Sequence, residues 1–453
     1  MKKRIALLIA LVMTTTLLIV AGCQPQQQSN APQAPKTIST QELKDNMGKS
    51  GWLIVDARQN DAFNGWKLDG VTRGGHIKGA ADFAANWLKA TVKDKDINQV
   101  LANLIKQKGI DKAENVVVYD ANGQDAKAVA EFFLKNGVKN VYLYDVKEWA
   151  KDSSLPMESY ANYQMIVPAQ WIKDVIDGKK PETFAGGSYK IFEVSWGDES
   201  TSYAKGHIPG SVHINTDEIE SPPLWSINPD KDLEKFALAN GLTKDDTVIL
   251  AGDNPMASYR LAAILKYLGV KDVRVLNGGF AAWKNAGYQV ETASHPKQPG
   301  TSFGAAIPVN KGYIVDIDKA KAALADKQNS ILVDIRSWDE YIGKTSGYKD
   351  LAFKGRPAGS VWGHAGSDPN HLEDFRNVDD TMRNADEILA MWKEQGITPD
   401  KNLSFFCGSG WRAAEVLTFA DVMGLKNISL YSNGWYEWSS NPANPVETGE
   451  PQK

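Results

Sequence analysis

Short apolar runs closed by an acid recur three times along the chain: WLIVDAR at Trp52–Arg58, YKIFEVS at Tyr189–Ser195 and SILVDIR at Ser330–Arg336. A second apolar run follows each of them, in NVVVYD, TVILAG and LSFFCG. A stretch of helical periodicity then leads to a third run, in GVKNVYLYD, GVKDVRVLNGG and GLKNISLYSNG. Continuous apolar runs predict strands buried on both faces, and their alternation with helical stretches predicts βα units on a parallel sheet. Each copy closes on a tryptophan, Trp149, Trp283 or Trp438. The spacing is constant: Tyr144 lies 24 residues after Asp120, Leu276 24 after Gly252 and Tyr431 24 after Cys407.

A turn motif repeats in the same order, as GHIKGAADF from Gly75, GHIPGSVHI from Gly206 and GRPAGSVWG from Gly355. Generic α/β segments do not reproduce two motifs and one fixed spacing by chance. The chain of 453 residues is also long enough for about three domains. Domains are expected at 37–150, 165–293 and 308–446. The stretches between them, KDSSLPMESYANYQ and ETASHPKQPGTSFGAAIP, read as linkers, the second because it is rich in Pro and Gly.

Composition narrows the class. Hydrophobic residues make up 42% and charged residues 23%, as in a globular protein. The net charge is −4 although Lys2, Lys3 and Arg4 sit at the amino end. No nucleic-acid partner is expected from so acidic a remainder. The amino end has a basic MKKR, an apolar stretch and then VAGC at Val20–Cys23. Small residues before a cysteine favour a cleaved export signal over a short membrane helix. Residues 1–22 resemble a bacterial lipoprotein signal, which implies that Cys23 carries lipid. Gln24 follows Cys23, where an Asp would suggest inner-membrane retention. The expected location is the periplasm, on the outer membrane, with membrane contact only through the lipid. Residues 23–36 are too rich in Gln, Pro and Ala to bury a core and read as a disordered tether.

The chain has two cysteines, so a lipid-modified Cys23 leaves Cys407 without a disulfide partner. Cys407 lies in FFCGSGWRAAE, at the predicted carboxyl end of a strand, where ligands of parallel sheets bind. Gly408 and Gly410 let the backbone bend around the sulfur. WRAAEVLTFADVMG predicts a helix from Trp411 to Gly424, whose amino terminus favours an anion. A lone Cys at a strand end is ordinarily an inert core residue. The glycine-flanked loop and the following helix point instead to a thiolate nucleophile.

These residues resemble the rhodanese family of sulfurtransferases, through VDIR, GHIPGS, CGSGWR and NGGFAAW. The resemblance runs from about residue 37 to 446, and three tandem domains behind an export signal are closest to the three-domain periplasmic thiosulfate sulfurtransferases. It implies an α/β fold with three rhodanese-like domains, each a five-stranded parallel sheet flanked by helices. It implies a persulfide on Cys407 and a loop, Gly408, Ser409, Gly410, Trp411 and Arg412, that cradles it. Asp120 and Gly252 stand at the nucleophile position of the first two domains, which are therefore expected to be catalytically silent. Glu193 replaces the usual Asp in the second, and Arg356 the usual His in the third.

The expected reaction takes sulfane sulfur from a small anionic donor such as thiosulfate to a thiol, cyanide or protein cysteine. Arg412 is the expected anion ligand and Ser409 a hydrogen-bond donor. Arg336 is a further cation, although the same D-x-R ends the first domain's strand as Asp56–Arg58, which favours an ion pair. For Arg356, substrate contact and a surface salt bridge stand even. His76 and His207 sit in turns, where a structural His is the commoner reading. His207 is kept as a site candidate because EVSW…GHIPGS resembles the amino-terminal domain of two-domain mercaptopyruvate enzymes, whose matching His approaches the active site. Six histidines show no metal-ligand spacing, so neither metal nor cofactor is expected, and the chain is expected to be a monomer. Three rivals stand beside thiosulfate: 3-mercaptopyruvate as donor, which CGSG favours; a phosphatase, disfavoured because Cys407 to Arg412 is C-x4-R rather than C-x5-R; and a sulfur carrier or scaffold that does not turn over.

Overall fold

The computed structural model describes residues 34–92 and 95–451. Cys23, the signal and all but the end of the tether lie outside them. Each copy of the repeat forms one five-stranded sheet, and every strand pair within the three sheets is parallel. The second apolar run is central each time: Asn115–Asp120, Thr247–Ala251 and Asn402–Phe406. In the third sheet, Asn402–Phe406 lies between Ser330–Asp334 and Ile428–Tyr431. Continuous apolar runs read as central strands because helices cover both faces. Among the described residues, no helix is long and apolar enough to cross a membrane.

The D-x-R strand ends are fasteners. Arg58 grips Asp56 at 2.9 and 2.6 Å and reaches the Gly75 carbonyl at 2.7 Å. Arg336 does the same with Asp334, at 2.8 and 2.6 Å, and with the Gly355 carbonyl at 2.9 Å. Each arginine ties its strand to the turn motif, which corrects Arg336 as a substrate ligand. The second domain has Glu193 and Ser195 instead of Asp and Arg. With no arginine beside it, and only His213 Nε2 at 3.7 Å, burial lifts the Glu193 carboxyl to about 7, against hydrogen bonds from Ser202 and Ser195.

The second and third domains share one core. Their joint is two helices that each follow a central strand, Pro255–Leu268 and Trp411–Val422, both buried on nearly every face. Such helices are hydrophobic all round because they pack between sheets. Tyr259 meets Phe419 edge-on at 5.3 Å.

The linker stretches are tied down as well. Met157–Glu158 pairs with His76–Ile77, and Asn162 bonds the Val422 and Asp421 carbonyls at 3.0 and 2.8 Å. Polar residues at these positions find backbone partners in other domains, which a composition reading does not reveal.

A buried polar knot joins all three domains. Asn277 donates to Asn60 and Asp61, each at 2.9 Å, and accepts from the Met382 amide at 3.0 Å. Burial, set against the Asn277 hydrogen bond, lifts the Asp61 carboxyl from 3.8 to about 7. In the window between those two values the native chain holds a proton that the unfolded chain has released, so Asp61 erodes stability as pH rises through it. Asp61→Asn removes this term. Its thermal midpoint is expected to match wild type near pH 4 and to exceed it increasingly up to about pH 7. A constant offset across a pH series of melting curves would refute this.

Candidate active site

Phe405 and Phe406 are fully buried, and the chain leaves the sheet at Cys407, itself 1% exposed. The backbone then doubles back. The Gly410 amide donates to Cys407 Sγ at 3.2 Å. Gly410 has φ +99° and sits at the cap of Trp411–Val422, so the sulfur faces a helix amino terminus. A second helix start holds the loop carbonyls away from the sulfur: the Trp435 amide takes the Cys407 carbonyl at 2.8 Å and Tyr436 the Gly408 carbonyl at 3.1 Å. Both loop glycines are required by close approach. A Cβ on Gly408 would lie 2.2 Å from the Tyr348 hydroxyl, and one on Gly410 would lie 2.3 Å from Arg260 Nη1.

Arg412 is not a free anion ligand. Its guanidinium is buried and pairs with both oxygens of Glu340, at 2.8 and 2.9 Å, and with the Tyr348 hydroxyl at 3.1 Å. Against the cost of burial, Arg412 holds Glu340 below its ordinary range. Arg412 thus positions Tyr348 over the loop. Burial raises the Tyr348 phenol, Arg412 offsets part of this, and the nearby Cys407 adds to the rise. Ser409 is half-buried. Trp411 donates through Nε1 to Glu220 Oε1 of the second domain, at 2.7 Å.

The cation beside the loop is Arg260, from helix Pro255–Leu268 of the second domain. It is fully buried, donating to Glu220 Oε2 at 3.0 Å and to Ser432 Oγ at 2.8 Å. Its Nη2 is buried with no hydrogen-bond partner. Arg412 likewise keeps one unpartnered N–H, at Nε, so what sets Arg260 apart is that it packs on Gly410 from a neighbouring domain. Nothing in the third domain's sequence could have signalled it. Tyr348, in TSGY at Thr345–Tyr348, comes from the third domain itself.

Arg356 and His207 are corrected together, because the repeat gives both one structural role. His76 stacks on Phe63 at 3.7 Å and bonds its carbonyl at 2.8 Å. His207 does the same with Tyr203, at 3.7 and 2.8 Å. Arg356 lies 4.4 Å over Tyr341 and bonds its carbonyl at 3.3 Å. Each pairs in register with an acid on returning backbone, Glu158, Glu291 or Glu447. These are clasps that close each turn motif, and they leave neither residue to bind substrate.

The silent positions differ physically. Asp120 fills its own loop, accepting from the Gly123 and Ala126 amides at 3.1 and 2.9 Å. Its carboxylate occupies the place a thiolate would take. At Gly252 any Cβ would lie 2.4 Å from the Val194 carbonyl oxygen, so that domain has no room for a nucleophile.

The rhodanese-like domain pattern matches residues 39–152, 169–286 and 316–441. The chain is 39% identical over 451 residues, 99% of its length and 98% of the other's, to the thiosulfate sulfurtransferase YnjE of Escherichia coli K12. It is 28% identical over 306 residues, covering 64% of its length and 99% of the other's, to the sulfur carrier protein TtuD of Thermus thermophilus. The anaerobic ergothioneine biosynthesis enzyme of Chlorobium limicola, solved with its natural substrate trimethyl histidine, superposes with a TM-score of 0.86 at 36% identity, over 92% of this chain and 100% of that one. EanB, solved as a cysteine persulfide in a tetrahedral intermediate state with ergothioneine, also gives 0.86 at 36% identity, over 92% and 100% of the two chains. Three matched domains, a full-length relative and a cysteine held at the head of a helix make one conclusion: the chain belongs to the rhodanese-like family and is a sulfurtransferase.

Proposed function

We propose that this chain is a thiosulfate sulfurtransferase of the thiosulfate:cyanide type, working through a persulfide on Cys407. The Cys407 thiolate attacks the outer sulfur of thiosulfate. A new S–S bond forms, the donor's S–S bond breaks, and sulfite leaves with its electron pair. The persulfide's terminal sulfur then receives attack from cyanide, a thiol or a protein cysteine, and the Cys407 thiolate departs. The observation that carries this reading is the Gly410 amide on Sγ with the Arg260 guanidinium packed behind it. Together they offer N–H donors to a doubly charged donor and an anionic persulfide, with the Arg260 charge balanced by Glu220.

Sulfite release from thiosulfate and pyruvate release from 3-mercaptopyruvate are the direct tests, and dominant turnover of mercaptopyruvate would sink the thiosulfate reading. Arg260→Leu combined with Glu220→Gln, so that no carboxylate is stranded, is expected to raise KM for thiosulfate by about tenfold to a hundredfold. An unchanged KM would remove Arg260 from donor binding.

A second reading concerns the acceptor. The Tyr348 hydroxyl lies over Gly408 and its ring meets Tyr436 edge-on at 5.1 Å, giving the loop an aromatic wall. That wall suits a flat acceptor such as the trimethyl histidine bound by the Chlorobium enzyme. Persulfide-loaded chain that converts trimethyl histidine to ergothioneine would favour this reading. Rapid transfer to a single protein thiol, with slow turnover on small acceptors, would favour a carrier. For location, the VAGC segment supports export to the periplasm and a lipid on Cys23; fatty-acid labelling that survives Cys23→Ala would defeat it.

A further inference from the structure

The threefold repeat is its own control for one cluster that sulfur transfer does not use. All three copies close their turn with a clasp residue opposite an acid. Only the second adds another ligand: His295 stands four residues after Glu291, where the other copies have Asn162 and Pro451. We infer that His207, Glu291 and His295 form a binding site for a divalent transition-metal cation.

The donor atoms are prepared for it. His207 Nδ1 lies 2.8 Å from the Tyr203 carbonyl. A carbonyl only accepts, so Nδ1 carries the proton and Nε2 presents a lone pair. That Nε2 is buried with no hydrogen-bond partner, on a side chain with 0% exposure. It faces Glu291 Oε2 at 3.9 Å, while His295 Nε2 lies 2.9 Å from the same oxygen. One donor atom from each of the three residues falls within 4.8 Å of the others. Tetrahedral zinc with bonds of about 2.0–2.1 Å sets its ligand atoms about 3.3 Å apart, between the two measured separations.

The outer contacts are those a metal site uses. The Tyr203 carbonyl fixes the His207 ring, and the Gly210 amide orients Glu291 from 2.7 Å. That amide and His295 hold the Glu291 carboxyl below its ordinary range, against slight burial. Glu291 and His295 line a cavity of about 510 Å³, which leaves a fourth position for water or a small anion. Since His295 belongs to the connector between the second and third domains, the metal would pin that connector to the second domain.

The test is zinc titration of chelator-stripped full-length protein by calorimetry, in a Cys407→Ser background so that the thiolate does not compete. One zinc per chain is expected, together with a higher unfolding temperature. His295→Ala is expected to weaken binding by about tenfold or more and to cancel the thermal gain. Its side chain is 36% exposed, so this variant keeps the buried clasp. Cobalt provides a second readout: a visible absorption band in the parent protein that is lost in His295→Ala. Absence of stoichiometric zinc, or binding undiminished in His295→Ala, would overturn the site and leave a hydrogen-bonded cluster.

Discussion

Exposure of the wild-type chain to thiosulfate is expected to add one sulfur atom to its intact mass, and Cys407→Ser is expected to add none. Turnover should fall with it by about four to six orders of magnitude, the scale of losing a covalent nucleophile. The expectation rests on geometry more than on the presence of a thiol. Serine fits the same space and can still accept the Gly410 hydrogen bond, so the fold survives the change. What it lacks is a polarizable, readily ionised sulfur that attacks sulfur. Neither silent domain can substitute, since Asp120 fills its own cradle and Gly252 faces the Val194 carbonyl. A sulfur adduct on Cys407→Ser, or no adduct on wild type, would remove the persulfide from the mechanism.

The legible features were those written in local pattern. Apolar runs gave the central strands because parallel strands are buried on both faces. The loop was legible because glycines must stand where the Tyr348 hydroxyl and the Arg260 guanidinium approach the backbone. The roles of charged residues were not legible. Arg412 and Arg336 carry the charge a donor would need, yet each is consumed by an acid, Glu340 at sequence distance and Asp334 two residues away. Burying an arginine requires such a partner, and partner choice depends on tertiary contacts. Arg260 is paired with an acid too, Glu220 at 3.0 Å, but it reaches the loop. Its register places it eight residues after Gly252, on a helix of a silent domain, and only domain packing brings it to Gly410. The second domain therefore supplies part of the site: Arg260 packs on Gly410 and Glu220 accepts from Trp411.

Arg412 decides between these two arginines by experiment. Its pair with Glu340 is sealed, with side-chain exposures of 1% and 0%. Arg412→Met leaves a carboxylate buried with only Ser337 as donor, at 3.0 Å from the amide and 2.8 Å from the hydroxyl. Removing one partner of a buried pair costs about 3–5 kcal/mol, so the third domain is expected to unfold at a clearly lower denaturant concentration. Replacing both partners, as Arg412→Met with Glu340→Leu, should recover most of that loss, since no charge is then stranded. The double variant should still load sulfur from thiosulfate, because the Gly410 amide and Arg260 remain. A ligand role for Arg412 makes the opposite forecast: near-normal stability in the single variant, and no sulfur uptake in the double. Denaturation followed by tryptophan fluorescence, with intact mass after thiosulfate, separates the two outcomes. Stability restored together with sulfur loading would make Arg412 a positioning residue for Tyr348 and leave donor recognition to the neighbouring domain.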